Sequence, residues 1–142
     1  MPKANTQLYQ KPGGNMTARV LFIINKPLWA AIWRRELGGM VEFVSVVSIR
    51  EAENECTDSL PFNAIVVDVR ALVDLKTAGV FAKRLKEVFR FAGPILATSS
   101  NKDEHRQLVE AGYRFGCHRA ELPATLRGVL PPPDPQTQGD EA

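Results

Sequence analysis

Short, uninterrupted apolar runs recur along this chain, and segments with helical spacing of their apolar residues separate them. Three of the runs cover residues 20–24, 64–67 and 95–97. A strand with one face in water alternates apolar and polar residues, so a continuous run of this length indicates a strand buried on both faces of a sheet. Such strands alternating with helices predict a parallel sheet with right-handed crossovers. No other feature restricts the fold as much.

The full pattern predicts an α/β fold in which five strands alternate with five helices. Together they form a single domain, with a five-stranded parallel sheet and helices on both faces, in the doubly wound, flavodoxin-like arrangement. The expected strands are residues 20–25, 41–47, 63–68, 94–98 and 113–117. The expected helices are residues 28–37, 49–57, 78–91, 101–110 and 122–130.

One globular domain accounts for most of the chain. Its 142 residues, of which 44% are hydrophobic, suffice for one ordinary core, and we assign the domain to residues 18–130. Residues 1–17 are polar and contain a Pro-Gly-Gly sequence, which predicts a flexible N-terminal segment. Residues 131–142 begin with three consecutive prolines, which predicts an extended, disordered tail.

Charge and composition narrow the range of functions. The formal net charge is only +2 and acidic residues stand among the basic ones, which argues against binding to nucleic acid. No apolar stretch approaches the roughly 18 to 20 residues that cross a bilayer. The N-terminus also lacks the apolar centre of a secretory signal. We therefore expect a cytoplasmic protein that binds neither nucleic acid nor a membrane.

The cysteines, the histidines and the two tryptophans are expected to be structural. Cys56 and Cys117 match no metal-binding or redox pattern and are read as small buried or partly buried hydrophobes. Adjacent residues of a strand point to opposite faces, so Cys117 and His118 cannot act together as a nucleophile and its base. Trp29 and Trp33 lie one helical turn apart and are expected to pack in the core or at its edge.

A carboxylate follows the strand that ends the apolar run 64–67. Asp68 is the last residue of that strand, and in an open α/β sheet ligands bind at the carboxyl ends of the strands. Asn25 and Ser99 stand at the ends of the first and fourth strands, so we expect both to converge on Asp68. The candidate site thus contains a single carboxylate.

Residues 18–130 resemble the receiver domains of bacterial two-component response regulators. Three sequences carry the likeness: Ala-Ile-Val-Val-Asp ending at Asp68, Pro-Ile-Leu-Ala-Thr-Ser ending at Ser99, and Glu-Ala-Gly ending at Gly112, seven residues before Arg119. The resemblance implies that two acids after the first strand hold Mg²⁺ and that a histidine kinase phosphorylates the aspartate at the position of Asp68. It also implies that a hydroxyl and a lysine after the fourth and fifth strands contact the phosphate.

The chain departs from the receiver pattern at the phosphorylation site. Ile24 and Asn25 stand where the resemblance places the two magnesium-binding acids, and Lys26 follows them. Arg119 replaces the lysine, and Gly116 stands at the aromatic switch position. Mg²⁺ usually needs at least one or two carboxylates, and phosphoryl transfer depends on the charge that it neutralises. We expect Asn25 and Lys26 to line the pocket, with no bound metal or cofactor and little phosphorylation.

The hydroxyl and the cation of the pocket are Ser99 and Arg119. Strand position favours Ser99, whereas counting back from Gly112 points to an earlier residue, which leaves Thr98 as the alternative. A guanidinium can pair with a carboxylate through two parallel bonds. Our hypothesis is that Asp68 and Arg119 form a fixed ion pair that holds the domain in one state.

The sequence favours an atypical receiver, or pseudo-receiver, that acts in signal transduction by binding another protein and is not an enzyme. The partner would be a histidine kinase or a downstream effector. The resemblance implies an interface, and a possible route to a homodimer, on the fourth helix, the fifth strand and the fifth helix. Two alternatives stay open. One is a receiver phosphorylated on Asp68 by a histidine kinase; the other is a flavodoxin-like domain for a small ligand, although no glycine-rich phosphate loop follows the first strand.

Overall fold

A computed structural model describes residues 9–10, 16–58, 61–72 and 74–130 of the protein. The predicted proline-rich tail lies outside these residues. No helix among them is long and apolar enough to cross a bilayer. The strands are β1 (Tyr9–Gln10), β2 (Met16–Ile23), β3 (Val41–Val46), β4 (Ala64–Asp68), β5 (Ile95–Thr98) and β6 (Phe115–Cys117). The helices are α1 (Pro27–Leu37), α2 (Ile49–Asp58), α3 (Leu75–Glu87), α4 (Lys102–Glu110) and α5 (Leu122–Val129).

Five parallel strands form the sheet, in the order β3, β2, β4, β5 and β6. The chain passes from β2 to β3 on one side and then returns to add β4 on the other, so the direction of winding reverses between β2 and β4. In sheets of this kind the reversal opens a crevice at the carboxyl ends of the strands. The predicted doubly wound α/β fold is confirmed.

A sixth strand extends the sheet within the segment that we expected to be flexible. β1 pairs antiparallel with the start of β2, with Tyr9 opposite Thr17 and Gln10 opposite Met16. These two residues of the segment predicted to be flexible thus pair with β2, and the remaining residues of 1–15 lie outside the described part. A pairing of two residues leaves no periodicity for a sequence pattern to reveal. Its stabilisation comes from the backbone groups that the start of β2 presents.

The sheet separates two hydrophobic cores. β4 and β5 are buried along their whole lengths, as their continuous apolar sequences predicted. Because successive side chains of a strand point to opposite faces, Leu21 and Ile23 of β2 lie in one core and Val20 and Phe22 in the other. Helices α2, α3 and α4 cover the first core, and α1 and α5 cover the second. α1 and α5 thus lie on the same face of the sheet.

Helix α3 begins three residues before, and ends four residues before, its predicted bounds. The side chain of Asp74 caps its start by accepting a hydrogen bond from the backbone N–H of Thr77 at 2.8 Å, which lowers the pKa of Asp74. After the helix, Arg90 adopts a left-handed conformation with φ of 58°. The backbone N–H of Phe91 then donates to the carbonyl of Leu85 at 2.8 Å, a common way of closing a helix.

Replacing Arg90 by glycine should stabilise the domain. A residue with a Cβ in the left-handed region costs roughly 1 kcal/mol or more that glycine avoids, so we expect the free energy of unfolding to rise by about 0.5–1 kcal/mol. Urea denaturation measures this change. Lys83→Gly in the exposed interior of α3 is the control and should lower the free energy of unfolding by about 1 kcal/mol. A loss of stability in Arg90→Gly would contradict the prediction.

Candidate functional site

Asp68 lies at the carboxyl end of β4, beside the crevice. Its neighbour in the sheet is Thr98, the last residue of β5. The hydroxyl of Thr98 donates a hydrogen bond to Oδ1 of Asp68 at 2.8 Å. The Asp68 side chain is 0% exposed, so this carboxylate lies below the surface of the crevice. A buried carboxylate of this kind requires a compensating charge.

Arg119 supplies that charge. It begins a short 3-10 helix, Arg119–Glu121, directly after β6 and the intervening His118. Its Nε lies 2.9 Å from Oδ1 of Asp68 and its Nη2 lies 3.1 Å from Oδ2, so the guanidinium pairs with both carboxylate oxygens. The Arg119 side chain is only 16% exposed. The bidentate contact that the sequence suggested is present, and together Asp68, Thr98 and Arg119 form what we call the aspartate cluster.

The aspartate cluster is electrically neutral and closed. Oδ1 accepts two hydrogen bonds and Oδ2 accepts one, so both oxygens of Asp68 are engaged within the protein. Opposite unit charges about 4 Å apart attract by roughly 4 kcal/mol at an effective dielectric constant of 20, before the cost of desolvation. A reagent that attacks or coordinates this carboxylate must first displace Arg119.

The hydroxyl next to Asp68 belongs to Thr98, the alternative that the sequence left open beside Ser99. The Ser99 hydroxyl instead donates to the carboxylate of Glu104 and accepts from the backbone N–H of Asn101 at 3.1 Å, at the start of α4. Adjacent residues at a strand end point in opposite directions, so only one of the two hydroxyls can face Asp68. The count back from Gly112 lands on Ala97, so neither it nor strand position alone identified Thr98.

Asn25 and Lys26, which we expected to line the pocket, are not part of the aspartate cluster. Both are exposed in the turn between β2 and α1, and no hydrogen bond in the described residues links either to Asp68. Lys26 stands at the N-cap of α1 and makes no side-chain capping bond. β2 ends at Ile23, so the two residues belong to the turn that leads into α1.

The residues at this site do not suit a magnesium ion. Of the two positions that the resemblance assigns to acids, Ile24 is a buried apolar side chain and Asn25 is exposed. Asp68, the remaining oxygen donor, is already neutralised by Arg119. In the part of the chain that the structure describes, no group of three or more His, Cys, Asp or Glu side chains could hold a metal. A hard dication would need more carboxylate oxygen than this crevice provides.

Trp33 lies in the core, as expected of a packing residue. The sequence did not predict that it also makes a hydrogen bond. Its indole N–H donates to the backbone carbonyl of Arg119 at 2.9 Å. Glu121 closes the same turn, because its carboxylate accepts from the backbone N–H of His118 at 3.0 Å. No sequence signal identifies the acceptor of an indole N–H that lies 86 residues away.

The two thiols are not reactive groups of the site. Cys56 is partly buried and Cys117 is buried, and both are free. Burial raises the pKa of Cys56 to about 11, and burial also raises the pKa of Cys117. At neutral pH both are therefore protonated and weakly nucleophilic. The reading of both cysteines as small hydrophobes is confirmed.

The fold and the site define a doubly wound α/β domain with one buried, neutralised aspartate at the carboxyl edge of its sheet. No protein-family model matches the chain, and neither does any curated protein sequence. Solved structures do match it, and they are receiver domains.

Three of these structures illustrate the likeness, and each aligns with 80% of this chain. The receiver domain of a sensor histidine kinase from Pseudomonas aeruginosa, solved with a magnesium ion coordinated in its active-site cleft, has 21% identity, 97% of its own length covered and a TM-score of 0.60. The chemotaxis response regulator CheY4 of Vibrio cholerae has 21% identity, 99% coverage and a TM-score of 0.57. The BeF3-activated receiver domain of DrrB has 15% identity, 97% coverage and a TM-score of 0.59.

The protein therefore has the fold of response regulator receiver domains. At these identities the likeness concerns the fold, because a fold of this kind hosts many functions. What the domain does has to be argued from its own side chains.

Proposed function

We propose that this chain is a pseudo-receiver, a receiver-fold domain that acts in signal transduction by binding another signalling protein without magnesium-dependent phosphorylation. The observation that carries the proposal is the aspartate cluster. The carboxylate at the phosphoacceptor position is buried, and a guanidinium occupies both of its oxygens. A cytoplasmic location stays a prediction from the sequence.

Electrostatics supports this proposal over a phosphorylated receiver. A phosphoryl group brings additional negative charge, which a receiver site neutralises with a metal ion held by carboxylates. Here the single arginine is already balanced by Asp68, so the cluster has no positive charge in reserve. Phosphorylation would require three events together: breaking the ion pair, exposing the carboxylate and neutralising the phosphoryl oxygens by other means.

A titration with a phosphate mimic tests the proposal. Beryllium fluoride added with Mg²⁺ should cause no saturable change in the backbone amide signals of residues next to Asp68, as monitored by NMR. The DrrB receiver, which is known in a BeF3-activated form, is the positive control. Saturable changes around Asp68 in this protein would contradict the proposal. They would support the alternative that Asp68 is a working phosphoacceptor, which its place at the end of β4 favours.

The surface that we propose for the partner comprises α4, β6 and α5. Its centre is apolar, since Val109 of α4 is 48% exposed and Phe115 of β6 is 41% exposed. The exposed ion pair of Arg106 with Glu110, with an N···O distance of 3.5 Å, lies on the same helix. An apolar centre beside charged residues is typical of protein interfaces. β6 is also an edge strand of the parallel sheet, and among the described residues no further strand pairs with this side.

Phe115→Asp should remove partner binding while leaving the fold intact. A charge in the apolar centre of an interface must lose its hydration on binding, so we expect affinity for any protein captured by the wild type to fall at least about tenfold, or 1.4 kcal/mol. Val80→Asp is the matched control, because Val80 is 55% exposed on α3, outside this surface. Equal binding by Phe115→Asp and the wild type would place the interface elsewhere.

The same surface could instead bind a second copy of this chain, and this homodimer has its own test. In that case the partner is a second copy, and sedimentation equilibrium of the wild type alone would show a dimer that Phe115→Asp converts to a monomer. If the wild type sediments as a monomer at all concentrations, this surface does not form a homodimer and its partner is a different protein.

A further inference from the structure

The backbone of Arg119 is attached to helix α1 through a single polar contact. Trp33 is 0% exposed, and its ring packs beside Phe22 with centroids 5.9 Å apart. Within this apolar setting its indole N–H points at the carbonyl of Arg119, 2.9 Å away. A buried N–H is costly to leave unpaired, so the indole depends on this contact, while the carbonyl of Arg119 also accepts from the backbone N–H of Leu122.

Arg119 is therefore held at two points. Its guanidinium is fixed on Asp68, and its carbonyl accepts from the indole of Trp33 and from the backbone N–H of Leu122. Between these points the 3-10 turn is closed by Glu121, whose backbone N–H donates to the carbonyl of His118 at 2.9 Å. A bidentate pair tolerates little misalignment, because both N–H groups must meet both carboxylate oxygens in one plane. The placement of the backbone thus determines whether the guanidinium can reach Asp68.

We propose that Trp33 is a positioning residue for the aspartate cluster, so that α1 controls whether Arg119 stays paired with Asp68. This inference rests on the proposed function, in which the closed cluster is the resting state of the domain. The linkage runs from α1, through the indole N–H and the backbone of Arg119, to the buried carboxylate of β4. A displacement of α1 that breaks the indole hydrogen bond would free the turn and weaken the ion pair.

Removing only the indole N–H separates this role from packing. Trp33→Phe keeps an aromatic ring beside Phe22 but removes the indole donor, so the carbonyl of Arg119 keeps the backbone N–H of Leu122 as its donor. Trp33→3-benzothienylalanine keeps the two-ring shape and replaces the N–H by sulfur. It is the variant to measure if the smaller phenyl ring of Trp33→Phe impairs folding. Trp29→Phe is the matched control, one turn earlier on the same helix and with no hydrogen bond to Arg119 in the described residues.

The measurement is the hydrogen exchange of the Arg119 side-chain Nε–H, observed by NMR in the intact protein. This proton lies in the bond to Oδ1 of Asp68, so its exchange requires the pair to open. In Trp33→Phe we expect exchange to accelerate by about tenfold, the factor that corresponds to roughly 1.4 kcal/mol or one lost hydrogen bond. In Trp29→Phe the rate should stay at the wild-type value.

A purely structural role predicts a different pattern. If Trp33 only stabilises the core, the backbone amides of Val66 and Leu96 in the central strands should accelerate by the same factor as the Arg119 Nε–H. An equal factor for all three protons would overturn the proposal, as would an unchanged Arg119 rate in the benzothienyl variant. A response of the wild type to beryllium fluoride would refute the proposed function instead, and the exchange experiment would still report whether Trp33 positions Arg119.

Discussion

Replacing Arg119 by methionine should lower the free energy of unfolding by about 3–5 kcal/mol, the largest effect that we expect of a single substitution in this protein. Methionine has a similar length and carries neither charge nor donor. It would leave the Asp68 carboxylate, which is 0% exposed, with the Thr98 hydroxyl as its remaining side-chain partner. A buried carboxylate without a compensating charge must be partly hydrated or protonated, and either change disrupts the packed strand end.

We expect a large effect because the pair of Asp68 and Arg119 is buried, and Arg127→Met tests that reasoning. Arg127 of α5 donates to the backbone carbonyl of Glu36 at 2.7 Å and lies 4.0 Å from its carboxylate, but both side chains are about half exposed. An exposed ion pair contributes less than about 1 kcal/mol, so Arg127→Met should change the free energy of unfolding by no more than that. Urea denaturation at neutral pH measures both variants under the same conditions.

A double substitution separates lost charge pairing from lost packing. Asp68→Asn combined with Arg119→Met removes both charges and leaves an acceptor for the Thr98 hydroxyl. Removing both members of a buried pair is far less destabilising than removing one, so the double variant should recover most of the loss. An exposed ion pair contributes less than about 1 kcal/mol. If Arg119→Met alone lowers the free energy of unfolding by less than this, the ion pair does not hold the domain together.

The sequence was informative where one physical pattern dominates a segment. The strand that ends at Asp68 was predicted because a run of apolar residues has no stable place except between two packed layers. Helix α1 was predicted to within one residue, since Pro27 suits a first helical turn. The contact of Asp68 with Arg119 followed from residue chemistry combined with the family resemblance. These features depend on local composition or on a fixed order of strands.

The structure differs from the prediction where the position of a side chain depends on a shift of one residue in a strand or on the path of a turn. Thr98 and Ser99 are both hydroxyl residues, and a shift of one position in a strand reverses the direction of a side chain. Asn25 was assigned to the pocket from its place after β2, and in the structure its side chain is exposed in the turn before α1. The early start of α3 depends on the side-chain cap of Asp74, which lay in a predicted loop. The acceptor of the Trp33 indole N–H could be identified only from the three-dimensional structure.

Gly116→Ala should destabilise the domain by roughly 1–3 kcal/mol, because the added methyl group has no space. A Cβ at Gly116 of β6 would lie 2.7 Å from the carbonyl oxygen and 2.9 Å from the Cα of His105 in α4. These are backbone atoms, so no change of rotamer relieves the contact, and α4 must move away from β6. Urea denaturation measures the loss, and NMR should show amide shifts along α4.

Gly128→Ala is the matched control for the same chemical change. Gly128 lies in α5, and a Cβ there would have no other atom within 4 Å. Alanine is favoured over glycine in a helix by about 0.5–1 kcal/mol, so this variant should be equally or more stable than the wild type. A neutral Gly116→Ala would show that α4 can shift without cost, which would contradict the close packing of α4 on β6.

The packing at Gly116 also bears on how the proposed partner surface works. The receiver resemblance assigns an aromatic switch residue to this position, and the backbone of His105 occupies the space where its Cβ would lie. Helix α4 is therefore seated on β6 in a way that excludes such a side chain. We expect Gly116→Tyr to displace α4 further than Gly116→Ala and to weaken partner binding through Val109 and Phe115, even though neither residue is changed. If Gly116→Tyr binds the partner as tightly as the wild type does, partner binding does not depend on the position of α4, which would contradict this prediction.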